Sequence, residues 1–217
     1  SFIARTSTGL TPGNGGSPAA FPSLYVGSFG AGSSAASTWA DTGIPKTIQA
    51  LQSARTTLQW SANADKTQVV AALELWFAKT SPTASSYADA PAGKLAVWLW
   101  KPSAQQPLGH IARQFVLGST TFDVWAGALS YAATGTDGAG RPSLTYVARA
   151  QLASLDLDLK EFMADALVHS DTDRSAASSS QAFSSNWYLT DLFGGFQIWS
   201  ANSAARLNVD SFTVDIQ

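Results

Sequence analysis

The chain has 217 residues, of which only 13% are charged, and its formal net charge is −2. Its basic residues, Arg55, Lys66, Lys79, Lys94, Lys101, Arg113, Arg141, Arg149 and Lys160 among them, are scattered, which excludes the electrostatic footprint of a nucleic-acid or anionic-membrane partner. With no cysteine there is no disulfide framework, thiolate metal site or cysteine nucleophile, and two histidines, His110 and His169, are too few for a histidine metal site.

The length suits one domain over 1–217, and no apolar run approaches the roughly 18 residues of a membrane span. The start SFIARTSTGL lacks the charged-then-apolar order of a signal peptide, so a soluble protein is expected. Eight Trp, eleven Phe and five Tyr in a background of small residues suit a large sheet protein with an aromatic-lined groove.

Residues 1–20, rich in Gly, Pro, Ser and Asn, read as an irregular arm. A short strand follows at 21–29, and β-rich composition between turn signals predicts strands at 54–62, 67–79 and 93–101. The stretch 113–128 reads as a hairpin turning at Gly118–Ser119, residues 134–142 as an exposed turn and 143–150 as another strand. One segment, 155–170, has helical periodicity, with Leu159, Phe162, Met163, Ala166 and Leu167 at three- and four-residue steps, and Ser154 or Asp156 as its cap. Its acids, Asp156, Asp158, Glu161 and Asp165, read as a solvated face. A low-complexity loop at 174–185 precedes two strands, 188–201 and 205–216, and the paired glycines of GGF at 194–196 mark a bulge or a close backbone approach.

Several of these stretches, in order and spacing, resemble landmarks of one family: FPSLYVG, LELWFA, LAVWLWKPSAQQPLG, TTFDVWAG, DLKEFMADAL and, most specifically, WYLTDLFGGFQIW followed by NVDSF. The family is glycoside hydrolase family 12, the small endo-β-1,4-glucanases and xyloglucanases. The resemblance runs from about Phe21 to the C-terminus. It implies an all-β, concanavalin A-like β-jelly roll of two curved antiparallel sheets with one α-helix, about 156–169, and a cleft for a β-linked glucan.

Retaining glycosidases use two carboxyl groups roughly 5 Å apart, one attacking the anomeric carbon and the other protonating the leaving oxygen. The resemblance puts the nucleophile four residues before Trp98, where this chain has Lys94, and the acid/base in a GFE-x-W segment, where it has Gln197. A supporting acid falls at Glu74. An ammonium cannot form the glycosyl ester, and an amide has no proton to give. Period-two alternation sets Trp76, Trp98 and Trp199 on the same face as Glu74, Lys94 and Gln197, as stacking surfaces for sugars.

The reading that follows is a glycan-binding pseudoenzyme for an oligo- or polysaccharide, monomeric, without cofactor or metal, secreted or periplasmic and bacterial. Two alternatives stand beside it: an active endo-β-glucanase using Glu74 and Asp123, and a lyase-like enzyme using Lys94 as base or charge neutraliser with a Tyr as proton donor.

Overall fold

The computed structural model describes residues 1–6, 10–11, 18–27, 41–63, 67–82, 91–129, 140–173, 182–201 and 204–217. In chain order these form β1 (Phe2–Arg5), β2 (Ser23–Gly27), β3 (Lys46–Thr47), β4 (Ala54–Asn63), β5 (Thr67–Ala78), β6 (Gly93–Trp100), β7 (His110–Leu117), β8 (Thr120–Leu129), β9 (Arg141–Ala148), β10 (Ser154–Asp158), α1 (Lys160–Asp173), β11 (Tyr188–Ala201) and β12 (Arg206–Ile216).

A 4-stranded sheet, β1-β12-β4-β10, packs against an 8-stranded sheet in which β2-β11-β5-β6-β9-β8-β7 run in sequence and β3 also joins β11. Among the described residues the strand pairs of the large sheet are antiparallel except β6 with β9, which the β7–β8 hairpin separates along the chain and which runs parallel. Alternation explains the core between the layers. From β4, Leu58 and Trp60 point inward, while Leu73, Leu75 and Phe77 of β5 and Leu95, Val97 and Leu99 of β6 meet them. On β12 the inward set is Leu207 and Val209, then Phe212, Val214 and Ile216. This change of parity coincides with a register shift between Val209 and Ser211, an extra residue that turns the rest of the strand over. Ring contacts tie the layers together: Trp60 meets Trp100 and Phe196 at 5.9 Å each, and Phe2 meets Phe196 at 6.4 Å.

Three expectations need correction. The first 20 residues are not wholly irregular, because Phe2–Arg5 pairs with β12 and continues the small sheet; residues 7–9 and 12–17 lie outside the described residues. The helix begins later than 155 or 156, because Ser154–Asp158 alternates with period two and pairs antiparallel with β4. At the junction the Asp158 carboxylate accepts the Ala54 N–H at 2.7 Å and the Lys160 N–H at 3.0 Å, which closes the strand and opens the helix. The helix acids are not one solvated face either. Asp156 belongs to β10 and pairs with Arg55 at the surface, and Asp165 points inward.

Helix α1 lies on the core side of the large sheet. Phe162, Met163 and Ala166 are fully buried there, with Phe162 5.0 Å from Tyr146, 5.3 Å from Phe122 and 5.4 Å from Phe115. A charged clamp fixes it. Arg113 of β7 grips Asp165 with both terminal nitrogens (3.1 and 2.5 Å) and Asp173 with Nε (3.1 and 2.9 Å). The Tyr146 hydroxyl donates to Asp165 at 2.7 Å, with the Phe162 carbonyl at 3.2 Å. Burial above all, with the Asp165 charge, pushes the Tyr146 phenol well above its ordinary range; at Arg113, burial acts against the charged form but is outweighed by Asp165 and Asp173, and the guanidinium is raised.

The glycines of GGF make a close approach rather than a bulge. A Cβ on Gly195 would run into the Pro22 carbonyl oxygen, whose position is fixed by the Phe196 N–H at 3.0 Å, and one on Gly194 would lie 2.7 Å from the Phe212 ring. The register shifts of β11 fall elsewhere, between Leu189 and Asp191 and between Ile198 and Ser200. Residues 134–139 of the expected turn and 174–181 of the expected loop lie outside the described residues.

Candidate functional site

The face of the large sheet turned away from the core is set by the same alternation. On β5 it receives Val70, Ala72, Glu74 and Trp76, and on β6 Lys94, Ala96 and Trp98. Register then places Trp76 beside Lys94, Glu74 beside Ala96 and Ala72 beside Trp98. The rows continue through Ser143, Thr145 and Val147 of β9 to Gly127, Trp125 and Asp123 of β8. On the other flank β11 brings Gln197 and Trp199.

Glu74, Lys94 and Gln197 meet on this face. One carboxylate oxygen, Glu74 Oε1, accepts Lys94 Nζ at 3.1 Å and Gln197 Nε2 at 2.5 Å. Gln197 is turned for this by Trp199, whose indole N–H donates to its Oε1 at 3.3 Å. Lys94 Nζ stands 5.4 Å from the centre of the Trp76 ring, within cation–π range. The whole centre is shielded: Gln197 is 3% exposed and Glu74 5%, while Lys94 keeps partial access to solvent. A lone carboxylate at 5% exposure is costly to leave uncompensated, and here a cation and an amide compensate it together. Chemically this is a set of fixed polar groups with an ammonium that has three N–H donors and spends one on Glu74.

The tryptophans divide into two kinds. Trp98, 3% exposed, is floor rather than plate: it packs with Val70, Ala72, Ala96 and Val147, and its indole N–H is buried without a hydrogen-bond partner. Trp76 and Trp199 are partly exposed, and so is Trp125, which the sequence reading passed over. Its signal was present, since Trp125 sits two residues beyond Asp123 in an alternating strand. Tyr25 was also missed: it stacks on Phe193 at 5.6 Å and 29°, and Phe193 is the direct neighbour of Glu74.

Asp123 lies on the same face, three strands from Glu74, with Arg149 Nε 3.8 Å from its Oδ1. Burial lowers the Lys101 ammonium, opposed by the charge of Asp123. His110 is exposed and His169 partly buried, and the described residues hold no group of three or more His, Cys, Asp or Glu that could bind a metal ion.

Comparison with known proteins agrees with this architecture. The model of glycosyl hydrolase family 12 matches residues 15–217, and the chain belongs to that family. Among solved structures it is similar to the endoglucanase Cel12A of Rhodothermus marinus, with 23% identity, a TM-score of 0.71, and a match over 97% of this chain and 80% of that one. The family 12 xyloglucanase of Bacillus licheniformis gives a TM-score of 0.73 at 19% identity over 95% of this chain and 79% of that one. An endo-1,4-β-glucanase, CelB2, gives 0.72 at 19% identity over 97% and 80%. At such identities the likeness is one of fold: two sheets and a single helix. No curated protein sequence matches the chain.

Proposed function

We propose that this protein is a glycan-binding pseudoenzyme: a single domain that keeps the family's sugar-binding face and lacks the retaining carboxylate pair. The observation that carries the reading is the pair of hydrogen bonds that Glu74 Oε1 accepts, one from Lys94 Nζ and one from Gln197 Nε2. The residues at the positions that the family resemblance assigns to the nucleophile and the acid/base converge on one carboxylate, and they are a cation and an amide. An oxocarbenium-like transition state needs a nearby anion and a protonated acid. Here the remaining carboxylate is occupied by two donors, and the cation would repel the charge that develops on the sugar.

The same contact argues against the alternatives. Asp123 is beside Arg149, not beside Glu74, so the two carboxylates do not form a pair across one bond. Lys94 donates to Glu74 and stands over Trp76, so its Nζ is already engaged by the protein rather than held free toward a substrate proton. The ligand is an oligo- or polysaccharide stacked on Trp76, Trp125 and Trp199, with Lys94 as a donor to its hydroxyls. On this reading the protein is a monomer that meets its glycan outside the cytoplasm, secreted or periplasmic; no helix among the described residues is long and apolar enough to cross a membrane.

The test is a glycan array paired with assays for new reducing ends and for unsaturated products. Binding without either product is the expected result. Robust release of reducing ends from β-1,4-glucan or xyloglucan, abolished by Glu74→Gln with binding unchanged, would establish a carboxylate mechanism and overturn the proposal.

A further inference from the structure

We infer that the outer face carries a second, anion-recognising subsite, formed by Lys101 and Arg149 beside Asp123, at the ends of β6 and β9, which takes the carboxylate of an acidic sugar. It rests on the glycan-binding reading and names the class of glycan.

Sheet geometry brings the trio together. Trp100 turns inward to Trp60, so Lys101, the next residue, returns to the outer side at the end of β6. Arg149 follows β9 with the same parity as Val147, and its backbone N–H donates to the Thr121 carbonyl at 3.0 Å, which fixes it beside β8. Val147 is the register partner of Asp123 and packs against Trp98. Both cations therefore end their strands on the side of β8 that faces β9, Arg149 within 3.8 Å of Asp123 and Lys101 within reach of its charge, and Trp125 projects from the same strand and face two residues on.

The trio is not internally satisfied. Arg149 Nε is 3.8 Å from Asp123 Oδ1, too far for a good hydrogen bond, and the guanidinium makes no hydrogen bond to another described residue. Among the described residues, the one hydrogen bond of Lys101 Nζ is to the neighbouring Pro102 carbonyl at 3.4 Å. Burial already disfavours the Lys101 charge, which a second anion would offset. Two cations share one anion, whereas at the Glu74 centre one cation faces one anion at 3.1 Å. A sugar stacked on Trp125 sets its substituents against this trio. A neutral substituent desolvates two charges without compensation, while a carboxylate matches the fork of Arg149 and neutralises the surplus.

Two β-1,4-glucan oligosaccharides of equal length serve as probes, one unmodified and one with its primary hydroxyls oxidised to carboxylates, each titrated calorimetrically at low and high salt. The oxidised oligomer is expected to bind at least about fivefold more tightly at low salt, with the margin shrinking as salt rises. Lys101→Gln and Arg149→Gln are each expected to reduce that margin by about two- to threefold, a size suited to partly exposed charges, and Asp123→Asn to widen it. Equal affinity for the two oligomers, or a margin that survives the Lys101→Gln/Arg149→Gln double substitution, overturns the subsite and leaves glycan binding standing. Binding of neither oligomer overturns both.

Discussion

Lys94 Nζ lies 3.1 Å from Glu74 Oε1 across neighbouring strands, a diagonal two residues off the direct pair of Glu74 with Ala96. Both side chains are largely shielded, at 15% and 6% exposure, so the pair is closer to a buried ion pair than to a surface one. Such a pair adds little to stability over an apolar filling, but losing one partner leaves a charge stranded.

That asymmetry is measurable. Lys94→Met leaves Glu74 with Gln197 as its one remaining donor among these contacts, and is expected to cost about 2–3 kcal/mol of unfolding free energy, below the fully buried range because Lys94 retains some access to water. Lys94→Met combined with Glu74→Leu should cost less than Lys94→Met alone. Chemical denaturation of the two variants decides it; a double variant that is the less stable would mean that the pair itself holds the sheet together.

Placing acids at positions 94 and 197 tests the proposed pseudoenzyme directly. Lys94→Glu with Gln197→Glu supplies a nucleophile and an acid where Glu74 already lies within reach of both, and the crowding of carboxylates raises one of their pKa values, as a general acid requires. New reducing ends from β-1,4-glucan or xyloglucan should rise above the parent's background, with retention at the anomeric carbon by NMR. Ala96, where the resemblance implies Met, limits the gain, so adding Ala96→Met should increase it further. A folded double variant that binds glucan and releases nothing would mean that two acids at these positions do not suffice for catalysis on this face.

Much of this was legible in the chain. Strands β5, β6, β11 and β12 could be bounded closely because long alternating runs fix both their type and their face, and the parity of Glu74, Lys94 and Gln197 followed from the same count. Asp158 was harder: SLDLD carries both a helix-start composition and a period-two pattern, and only pairing with β4 selects the strand. Asp165 looked solvated because its anchor, Arg113, lies 52 residues away in sequence. Trp98 and Trp125 share a face, and sequence alone does not say which lies beneath the other.

The approach of Pro22 to Gly195 makes another stringent position. Gly195→Ala places a methyl group against the Pro22 carbonyl, whose oxygen accepts the Phe196 N–H, so β2 must shift away from β11. A loss of about 1–3 kcal/mol is expected, the usual range for overpacking. Hydrogen exchange should show faster opening at residues 23–27 while α1 is unaffected. Unchanged exchange there would mean that β2 is not held by this contact.

The clamp on α1 predicts a response to alkali. The folded pKa of Tyr146 lies above its ordinary 10.0, so the contribution of this phenol is fully present below pH 10.0. As pH rises past that value the unfolded chain ionises its tyrosine while the folded one stays protonated against Asp165, and stability falls until the folded pKa is reached. At neutral pH, Tyr146→Phe removes the 2.7 Å bond to Asp165 and should cost about 1 kcal/mol. Above pH 10.0 the variant lacks this titration, so its deficit relative to the parent should narrow. Arg113→Met should behave differently, costing about 3 kcal/mol already at neutral pH because it strands both Asp165 and Asp173 at low exposure. Denaturation midpoints of the three proteins from neutral to strongly alkaline pH separate these outcomes. A Tyr146→Phe deficit that stays constant across the range would show that the hydroxyl is not held protonated by the clamp.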